Sequence, residues 1–419
     1  MDNCLILLTN YFPFHKGEEY LESEINFLAS RFKKIYILST MVTNKMPQTR
    51  QVPKNVVVYP SGLNHNLLGK INMFLSQYKE VVFDKSKRNI ISKEAKGRIL
   101  RKLYCYYFES RSMEVYNKIK KILNEIDFSI YRSVTIYSYW LYVTARVAIE
   151  LKNNFFNNKK TYVISRAHRY DLYEQNAPLK YLPEREFLLK NLDEIYPVSE
   201  DGVNYLKAKY PEFCGKIKVQ RLGTFSTSTT SHYGKDKLYI VSCSIVRKVK
   251  RLNLLVEALK ELEIRNIPYQ WTHIGDGPEF KTILRLAQKK LNMKNVKFIG
   301  YLKNHEVINW YKKNPATVFV NLSYSEGIPV SIMEAMSMNI PIIATDVGGT
   351  REIVENNKNG FLLSRDCTIE EIVNSLIKFN QMNEQEYSNF RSNSYKIWQL
   401  KCNAHKLYSD FANMLSNRN

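Results

Sequence analysis

Two glutamates, Glu326 and Glu334, stand with seven residues between them, directly after a strongly apolar segment. The apolar segment predicts a buried strand that ends near Asn321. Pro329 suits the first turn of a following helix, because its missing N–H would be unpaired there anyway. Glu326 is then expected in the connecting loop and Glu334 inside the helix. Carboxylates accept hydrogen bonds from hydroxyl groups, so the two side chains can bind different parts of one hydroxyl-rich ligand.

The start of this predicted helix also suits an anion. The first backbone N–H groups of a helix lack partners within the helix and carry a partial positive charge. Open α/β sheets bind ligands at the carboxyl ends of their strands, where such helices begin. A diphosphate and sugar hydroxyls occur together in a nucleotide sugar, so these residues favour a nucleotide-sugar site.

Strand and helix patterns alternate along the rest of the sequence. The first unit joins an apolar run at Leu5–Leu8, a helical pattern at Glu18–Phe32 and a second apolar run at Lys34–Leu38. This order indicates a parallel sheet with crossover helices. The alternation restarts after a tract rich in Ser and Thr, Thr224–Ser231, which is the best linker candidate of the chain.

The predicted fold class is therefore α/β with two domains. Residues 1–224 are expected to form an N-terminal Rossmann-like acceptor-binding domain, and residues 225–395 a C-terminal Rossmann-like domain that binds the nucleotide sugar. Residues 396–419 are expected to form a helix that packs back on the N-terminal domain. Two such domains facing an interdomain cleft form the GT-B arrangement, and closure of the cleft is expected to exclude water.

The bulk composition supports a folded protein of this size. The chain has 419 residues, of which 44% are hydrophobic, enough for two cores. No apolar run has the roughly 20 residues of a membrane span, and the N-terminus lacks the pattern of a secretion signal. We therefore expect a cytoplasmic protein. The six cysteines are scattered and follow no metal-binding spacing, so neither a metal site nor a disulfide framework is predicted.

The formal net charge of +22 favours anionic partners such as nucleotide diphosphates, lipid phosphates or an anionic membrane. The segment from Lys85 to Leu103 interleaves cations with Ile and Leu. It fits a basic amphipathic helix on the inner face of the plasma membrane, which would suit a lipid-diphosphate-linked acceptor. An exposed cationic helix without a membrane role fits it equally well. No nucleic-acid motif is present, so no nucleic-acid partner is expected.

The residues around the two glutamates resemble glycosyltransferase family 4, a family of retaining GT-B enzymes. The spacing of the glutamates carries the resemblance, together with the strand and the glycine-containing turn that follow them. By this resemblance Glu334 binds the ribose hydroxyls of the donor. Glu326 contacts the transferred sugar, as does the backbone from Gly327 through Ile328 to Pro329.

Lys250, Gly275 and Gly277 stand where the same family has functional residues. Lys250 occupies the position of a lysine that stabilises the leaving phosphate, whereas the family's arginine five residues earlier is replaced by Ile245. The sequence leaves open whether Arg247 takes over from that arginine. Gly275 and Gly277 resemble the family's glycine turn beside the nucleotide.

In the N-terminal half, His168 follows a predicted strand and resembles the histidine that the family places beside the reaction centre. Gly17 lies in the first strand-to-helix loop, where the backbone is expected to approach the diphosphate or the acceptor. Glu18 replaces the second glycine that many relatives have there. A structural histidine and a simple turn glycine are the alternatives.

The resemblance implies a retaining hexosyltransferase that moves a sugar from a nucleotide-diphosphate sugar to a glycan, in capsule, O-antigen or exopolysaccharide biosynthesis. Front-face transfer needs no enzymatic nucleophile, so the protein orients the substrates and stabilises the leaving diphosphate. No cofactor and no obligatory metal is expected, because no Asp-x-Asp motif stands in a suitable loop. A GT-B sugar-nucleotide epimerase and a non-enzymatic polyanion-binding protein are the alternatives. The donor base, the sugar, the linkage and the acceptor are not specified by the sequence.

Overall fold

The computed structural model describes residues 3–14, 17–61, 77–78, 81–226, 234 and 236–418. It divides into two compact units: unit 1 comprises Met1–Gln220 and Lys406–Asn419, and unit 2 comprises Arg221–His405. The chain therefore changes unit shortly before the predicted boundary after Thr224, and it returns to unit 1 later than residue 396. Residues 227–231 of the predicted linker lie outside the described residues.

Unit 1 is built on a six-stranded parallel sheet. Its strands are β1 (Asn3–Thr9), β2 (Lys34–Ser39), β3 (Val56–Pro60), β4 (Ser133–Ser138), β5 (Thr161–Ala167) and β6 (Glu194–Pro197), in the spatial order β3-β2-β1-β4-β5-β6. Within the described residues up to Gln220 its α-helices are α1 (Glu19–Ala29), α2 (Lys85–Ala95), α3 (Ile99–Leu123), α4 (Val143–Glu150), α5 (Arg169–Leu172), α6 (Arg185–Asn191) and α7 (Glu200–Lys209). Strands linked through helices in this order are the predicted Rossmann-like arrangement.

The central strands of unit 1 are buried on both faces. In β1, Leu5 and Leu7 belong to one apolar cluster, whereas Cys4, Ile6 and Leu8 belong to another. Successive side chains of a strand point to opposite faces, so apolar groups cover the sheet on both sides. This explains why β1 reads as a continuous apolar run rather than as an alternating one.

Unit 2 repeats the plan with a second six-stranded parallel sheet. Its strands are β7 (Leu238–Cys243), β8 (Tyr269–Ile274), β9 (Val296–Gly300), β10 (Val318–Asn321), β11 (Ile342–Thr345) and β12 (Gly360–Leu363), in the spatial order β12-β11-β10-β7-β8-β9. Its helices are α8 (Leu252–Ile264), α9 (Phe280–Lys290), α10 (Asn304–Lys313), α11 (Val330–Ser337), α12 (Thr350–Ile353), α13 (Ile369–Gln381) and α14 (Glu384–Lys401). Because β7 and β10 are neighbours, the loops that follow them lie side by side.

The C-terminal segment is two helices, and the prediction of one helix over residues 396–419 was wrong. After α14, helix α15 (Ala404–Asn417) begins anew. Between them the N–H of Thr224 donates to the carbonyl oxygen of Cys402 at 2.9 Å, and the N–H of Ala404 donates to that of Thr224 at 3.0 Å. These strand-like bonds interrupt the helix. Within α15, Phe411 and Leu415 are buried in a cluster of unit 1.

The segment from Lys85 to Leu103 is also not a single helix. α2 ends at Ala95, Lys96 and Gly97 have positive φ values of 46° and 75°, and α3 begins at Ile99. A glycine with positive φ is a common helix terminator, so the break has a local cause. Across the described part of the chain, no helix has both the length and the apolarity that a membrane crossing requires.

Candidate functional site

Lys250 and Glu326 form an ion pair at the carboxyl ends of two neighbouring strands of unit 2. Lys250 Nζ lies 2.6 Å from Glu326 Oε1, and Asn321 Nδ2 donates to the same oxygen at 3.3 Å. The lysine ends a 3-10 turn, Lys248–Lys250, that follows β7, while Asn321 ends β10. Adjacent parallel strands thus bring together two residues predicted to be catalytic. Their side chains are 22% and 12% exposed, so both are accessible to a ligand.

The helix after Glu326 begins one residue later than the sequence predicts. Pro329 is the N-cap of α11, with φ −80° and ψ 103°, rather than part of its first turn. Its carbonyl oxygen accepts hydrogen bonds from the N–H groups of Ile332 and Met333 at 3.1 and 3.4 Å. Ile328 and Pro329 are buried, whereas Gly327 is partly exposed. Gly327 is therefore the more accessible part of the backbone that was predicted to contact the sugar.

A glycine turn after β11 packs tightly against this loop. The N–H of Gly349 donates to the carbonyl oxygen of Gly327 at 2.6 Å. Gly348 has φ 52°, and a Cβ there would lie 2.2 Å from the carbonyl oxygen of Glu326. Both the positive φ and the close approach require glycine. The turn therefore fixes the backbone that carries Glu326, which the sequence predicts to be catalytic.

Glu334 lies on α11 with only 8% of its surface exposed. Burial raises the pKa of its carboxyl to about 8, because a low-dielectric environment disfavours the charged form. Burial, with the Glu334 charge as a smaller cause, also raises the pKa of Cys243 and of Tyr311. These two groups are thus electrostatic neighbours of Glu334. At neutral pH the Glu334 carboxyl is mostly protonated.

Gly275 and Gly277 allow the turn after β8 to lie against the loop after β7. Gly275 has φ 137°, and a Cβ there would lie 2.0 Å from the carbonyl oxygen of Ser244. A Cβ at Gly277 would lie 2.6 Å from the carbonyl oxygen of Val246. Close backbone approach therefore requires both glycines. Their turn supports the loop between β7 and α8, residues 244–251, which we call the basic loop.

The basic loop also contains Arg251, for which the sequence predicts no role. Ile245 is 58% exposed and Arg247 is exposed at the start of the 3-10 turn. Arg251 instead lines the same pocket as Lys250. Its Nε donates to the carbonyl oxygen of Leu322 at 2.7 Å. In the sequence, only the position of Arg251 next to Lys250 indicates that Arg251 lines this pocket.

His168 of unit 1 follows β5 and is the N-cap of α5. Its backbone N–H donates to Asp171 Oδ1 at 2.6 Å, and Asp171 Oδ2 accepts the N–H of Leu141 at 2.5 Å. Its ring lies against Tyr139 and Trp140, with centroid distances of 4.7 and 4.8 Å. Burial and the charge of Arg166 lower the pKa of His168 to about 3. The imidazole is therefore neutral at physiological pH.

The imidazole of His168 keeps one nitrogen unused. Its Nε2 is buried and has no hydrogen-bond partner within the described part of the chain. A neutral imidazole nitrogen without a partner is suited to exchange a hydrogen bond with a bound ligand. Asp171, by contrast, uses both carboxylate oxygens on backbone N–H groups, and burial raises its pKa to about 7.

Gly17 lies in unit 1, in the loop before α1, with φ 99°. No heavy atom would lie within 4 Å of a Cβ there, so backbone conformation rather than close approach favours glycine. Its N–H donates to Glu19 Oε1 at 2.7 Å, and its carbonyl oxygen accepts a hydrogen bond from Arg50 Nη2 at 2.8 Å. The structure thus places Gly17 and His168 in unit 1 and the other predicted site residues in unit 2.

Comparisons with known proteins agree with this architecture. Residues 229–397 match the family described as Glycosyl transferases group 1. WcaL of Escherichia coli K12, named a "putative colanic acid biosynthesis glycosyltransferase", is 28% identical over 229 residues, which are 52% of this chain and 55% of that protein. The chain thus matches about half the length of this relative.

Two solved structures resemble the whole chain. The lipopolysaccharide outer core galactosyltransferase WaaB in its apo form has a TM-score of 0.70 at 15% identity and covers 99% of this chain and 98% of its own. HepE of Anabaena in complex with UDP and glucose has a TM-score of 0.63 at 14% identity and covers 99% of both chains. The predicted fold is therefore confirmed. The chain has the GT-B fold, and its residues 229–397 match the Glycosyl transferases group 1 family.

Proposed function

We propose that the protein is a retaining glycosyltransferase of family 4 that transfers a hexosyl group from a nucleotide-diphosphate sugar to a glycan in polysaccharide biosynthesis. The observation that carries the proposal is the Lys250–Glu326 ion pair beside the start of α11. The match to a glycosyltransferase group 1 domain and the similarity to WcaL support it. Capsule, O-antigen or exopolysaccharide synthesis is the proposed setting.

The ion pair suggests how a donor would be recognised. A diphosphate carries more negative charge than one carboxylate, so it competes with Glu326 for Lys250. Glu326, once released from the lysine, accepts hydrogen bonds from sugar hydroxyls. Lys250 then remains to stabilise the charge that develops on the leaving diphosphate, aided by the partial positive charge of the α11 start. Front-face transfer by this route uses no enzymatic nucleophile and no obligatory metal.

Calorimetry of the purified protein against UDP-, GDP-, ADP- and CMP-sugars tests the donor site. We expect one nucleotide class to bind, with UDP-sugars the first choice because HepE was solved with UDP and with UDP-glucose. Glu334→Ala should abolish that binding, because a buried carboxyl that pairs with ribose hydroxyls is lost. Glu370→Ala, which removes an exposed glutamate of unit 2, is the matched control and should bind normally.

Two outcomes would contradict the proposal. Binding that survives Glu334→Ala would place the nucleotide elsewhere, and no binding to any nucleotide sugar by a folded sample would exclude a donor site. Once an acceptor is found, the NMR coupling of the anomeric proton in the first product shows whether configuration is retained. An inverted product would contradict a retaining mechanism. Activity that is lost on chelation and restored by a divalent cation would contradict the metal-free route.

The raised pKa of Glu334 predicts how donor affinity depends on pH. If the ionised carboxyl of Glu334 is the form that accepts both ribose hydroxyls, the affinity for the donor rises by up to about tenfold per pH unit until the pH reaches the pKa of Glu334. We therefore expect binding to tighten from about pH 6 to about pH 8 and to level off above. His273, whose pKa burial lowers to about 4, stays neutral throughout. Calorimetry across this range should show the rise in the wild type and a flat profile in Glu334→Gln.

We also propose that the protein binds an anionic membrane through a surface around the break between α2 and α3. We call it the α2–α3 surface. Its exposed apolar residues are Phe83, Ile99, Leu100 and Leu103, which are 80%, 76%, 65% and 53% exposed. Its exposed cations are Lys85, Arg88, Lys96, Arg98 and Lys102.

Large exposed apolar side chains that alternate with exposed cations along a segment are a composition that favours insertion at a lipid interface. A location on the inner face of the plasma membrane and a lipid-diphosphate-linked acceptor would follow. Cosedimentation with phosphatidylglycerol vesicles is expected, with weak binding to phosphatidylcholine and loss at high salt. Ile99→Ser/Leu100→Ser/Leu103→Ser should release the protein from the vesicles. Equal binding of the triple variant would refute this surface.

A further inference from the structure

The carboxylate of Glu18 accepts hydrogen bonds from four N–H groups of unit 1. Oε1 accepts the backbone N–H of Asn10 at 2.8 Å and the indole Nε1–H of Trp140 at 2.6 Å. Oε2 accepts the N–H groups of Tyr11 and Phe12 at 2.8 and 2.6 Å. These contacts use both oxygens, so the side chain is held in one orientation.

Backbone geometry alone does not favour a glutamate here. Glu18 has φ 57°, in the left-handed region that suits glycine, and its side chain is buried with 6% exposed. A buried carboxylate is costly unless its hydrogen bonds are satisfied. The position therefore combines two unfavourable features, and the contacts of the carboxylate are what offset them.

The indole of Trp140 connects Glu18 to His168. The backbone carbonyl of Trp140 is fixed separately, since it accepts hydrogen bonds from Ser138 Oγ at 2.7 Å and Thr144 Oγ1 at 3.0 Å. The bond to Glu18 then fixes the direction of the indole N–H, while the ring of Tyr139 packs edge-on against the indole with a centroid distance of 5.7 Å. The centroid of the indole ring lies 4.8 Å from the centroid of the His168 ring, so the indole packs against one side of the imidazole.

We propose that Glu18 is a positioning residue for His168, acting through the Trp140 indole. The carboxylate fixes the indole ring, and the indole holds the imidazole so that its unpartnered Nε2 keeps one direction. The role of His168 as a substrate-contacting residue rests on the proposed function, but the Glu18–Trp140–His168 contacts do not. The contacts form the structural part of the proposal and the effect on turnover forms its catalytic part, and each can fail separately.

The structural part is tested with protein labelled with 5-fluorotryptophan and ¹³C-histidine. The ¹⁹F resonance of Trp140 is the one lost in Trp140→Phe, and the ¹³C resonance of His168 is the one lost in His168→Gln. Glu18→Gln keeps the shape but turns an NH2 group toward one pair of donors, so it should shift both resonances. Glu19→Gln is the matched control, because Glu19 binds the Gly17 N–H and is exposed; it should shift neither.

The catalytic part is tested with a double-mutant cycle on turnover. Glu18→Gln is expected to lower kcat by about tenfold to 10²-fold, the range that misplacement of a reacting group by about 1 Å produces. Donor affinity should stay within about twofold, because Glu18→Gln leaves the backbone of Gly17 in place and the other proposed donor residues lie in unit 2. Glu18→Gln/Trp140→Phe should be no slower than the slower single variant, since both changes break the same connection.

Contradicting results differ for the two parts. Unmoved ¹⁹F and ¹³C resonances in Glu18→Gln would show that Glu18 does not orient Trp140 or His168. Multiplication of the two single effects in the double variant would show that Glu18 acts by another route. Shifted resonances with unchanged kcat would leave the contacts intact and remove the catalytic role. Failure of the proposed function itself would instead appear as a folded wild type that binds no nucleotide sugar.

Discussion

Lys250→Ala is expected to lower kcat for sugar transfer by about 10²- to 10³-fold, the usual effect of removing one group that stabilises developing charge. The affinity for the nucleotide sugar should fall much less. Lys250 is already engaged by Glu326 at 2.6 Å, so part of its attraction for the ground-state diphosphate is offset by the loss of that ion pair. The attraction grows as negative charge accumulates on the leaving group, and the loss therefore falls on turnover.

Initial rates at saturating donor, together with calorimetric donor affinities, separate these two effects. Lys248→Ala is the matched control, because Lys248 is an exposed cation of the same 3-10 turn and its removal changes the net charge equally. It should keep nearly wild-type turnover. Similar losses in both variants would mean that the basic loop acts only through its overall charge, and a loss confined to donor affinity would exclude Lys250 from the chemical step.

Both residues of this pair were predicted from the resemblance to glycosyltransferase family 4, and each stands at a local sequence position just after a predicted strand. Lys250 follows one apolar run and Glu326 another, and the carboxyl ends of parallel strands share one edge of a sheet. The ion pair itself depended on β7 and β10 being neighbours, which the sequence pattern left undetermined. Pro329 is the N-cap rather than part of the first turn, and its missing N–H costs no helix hydrogen bond at either position.

Contacts between distant parts of the chain were the features that the sequence could not predict. In the sequence Glu18 is only a departure from glycine. Its contact with Trp140 is not predictable, because the two residues are 122 positions apart. The break in the C-terminal helix likewise depends on bonds to Thr224. The break after α2 is different, because Gly97 is a local signal for a helix end within the amphipathic pattern.

Arg166 lies near the end of β5, two residues before His168, and the sequence predicts no role for it. In the structure it is fully buried, and its Nη2 lies 2.9 Å from Oε2 of Glu24, which is also fully buried. Tyr137 donates to the other oxygen of Glu24 at 3.0 Å. Burial raises the pKa of Glu24 even with this guanidinium beside it, so desolvation outweighs the attraction within the pair.

Arg166→Met is therefore expected to destabilise unit 1 by about 3–5 kcal/mol, because it leaves Glu24 buried without its partner. Arg166→Met/Glu24→Met should recover most of that loss, since apolar side chains of similar size avoid the cost of desolvating two charges. Urea unfolding followed by circular dichroism, with the transition of unit 1 fitted separately, measures both. Lys93→Met, which removes the cation of an exposed ion pair with Glu186, is the control and should leave the midpoint unchanged. If the double variant is as unstable as Arg166→Met, apolar side chains cannot replace the Arg166–Glu24 pair in the unit 1 core around β5.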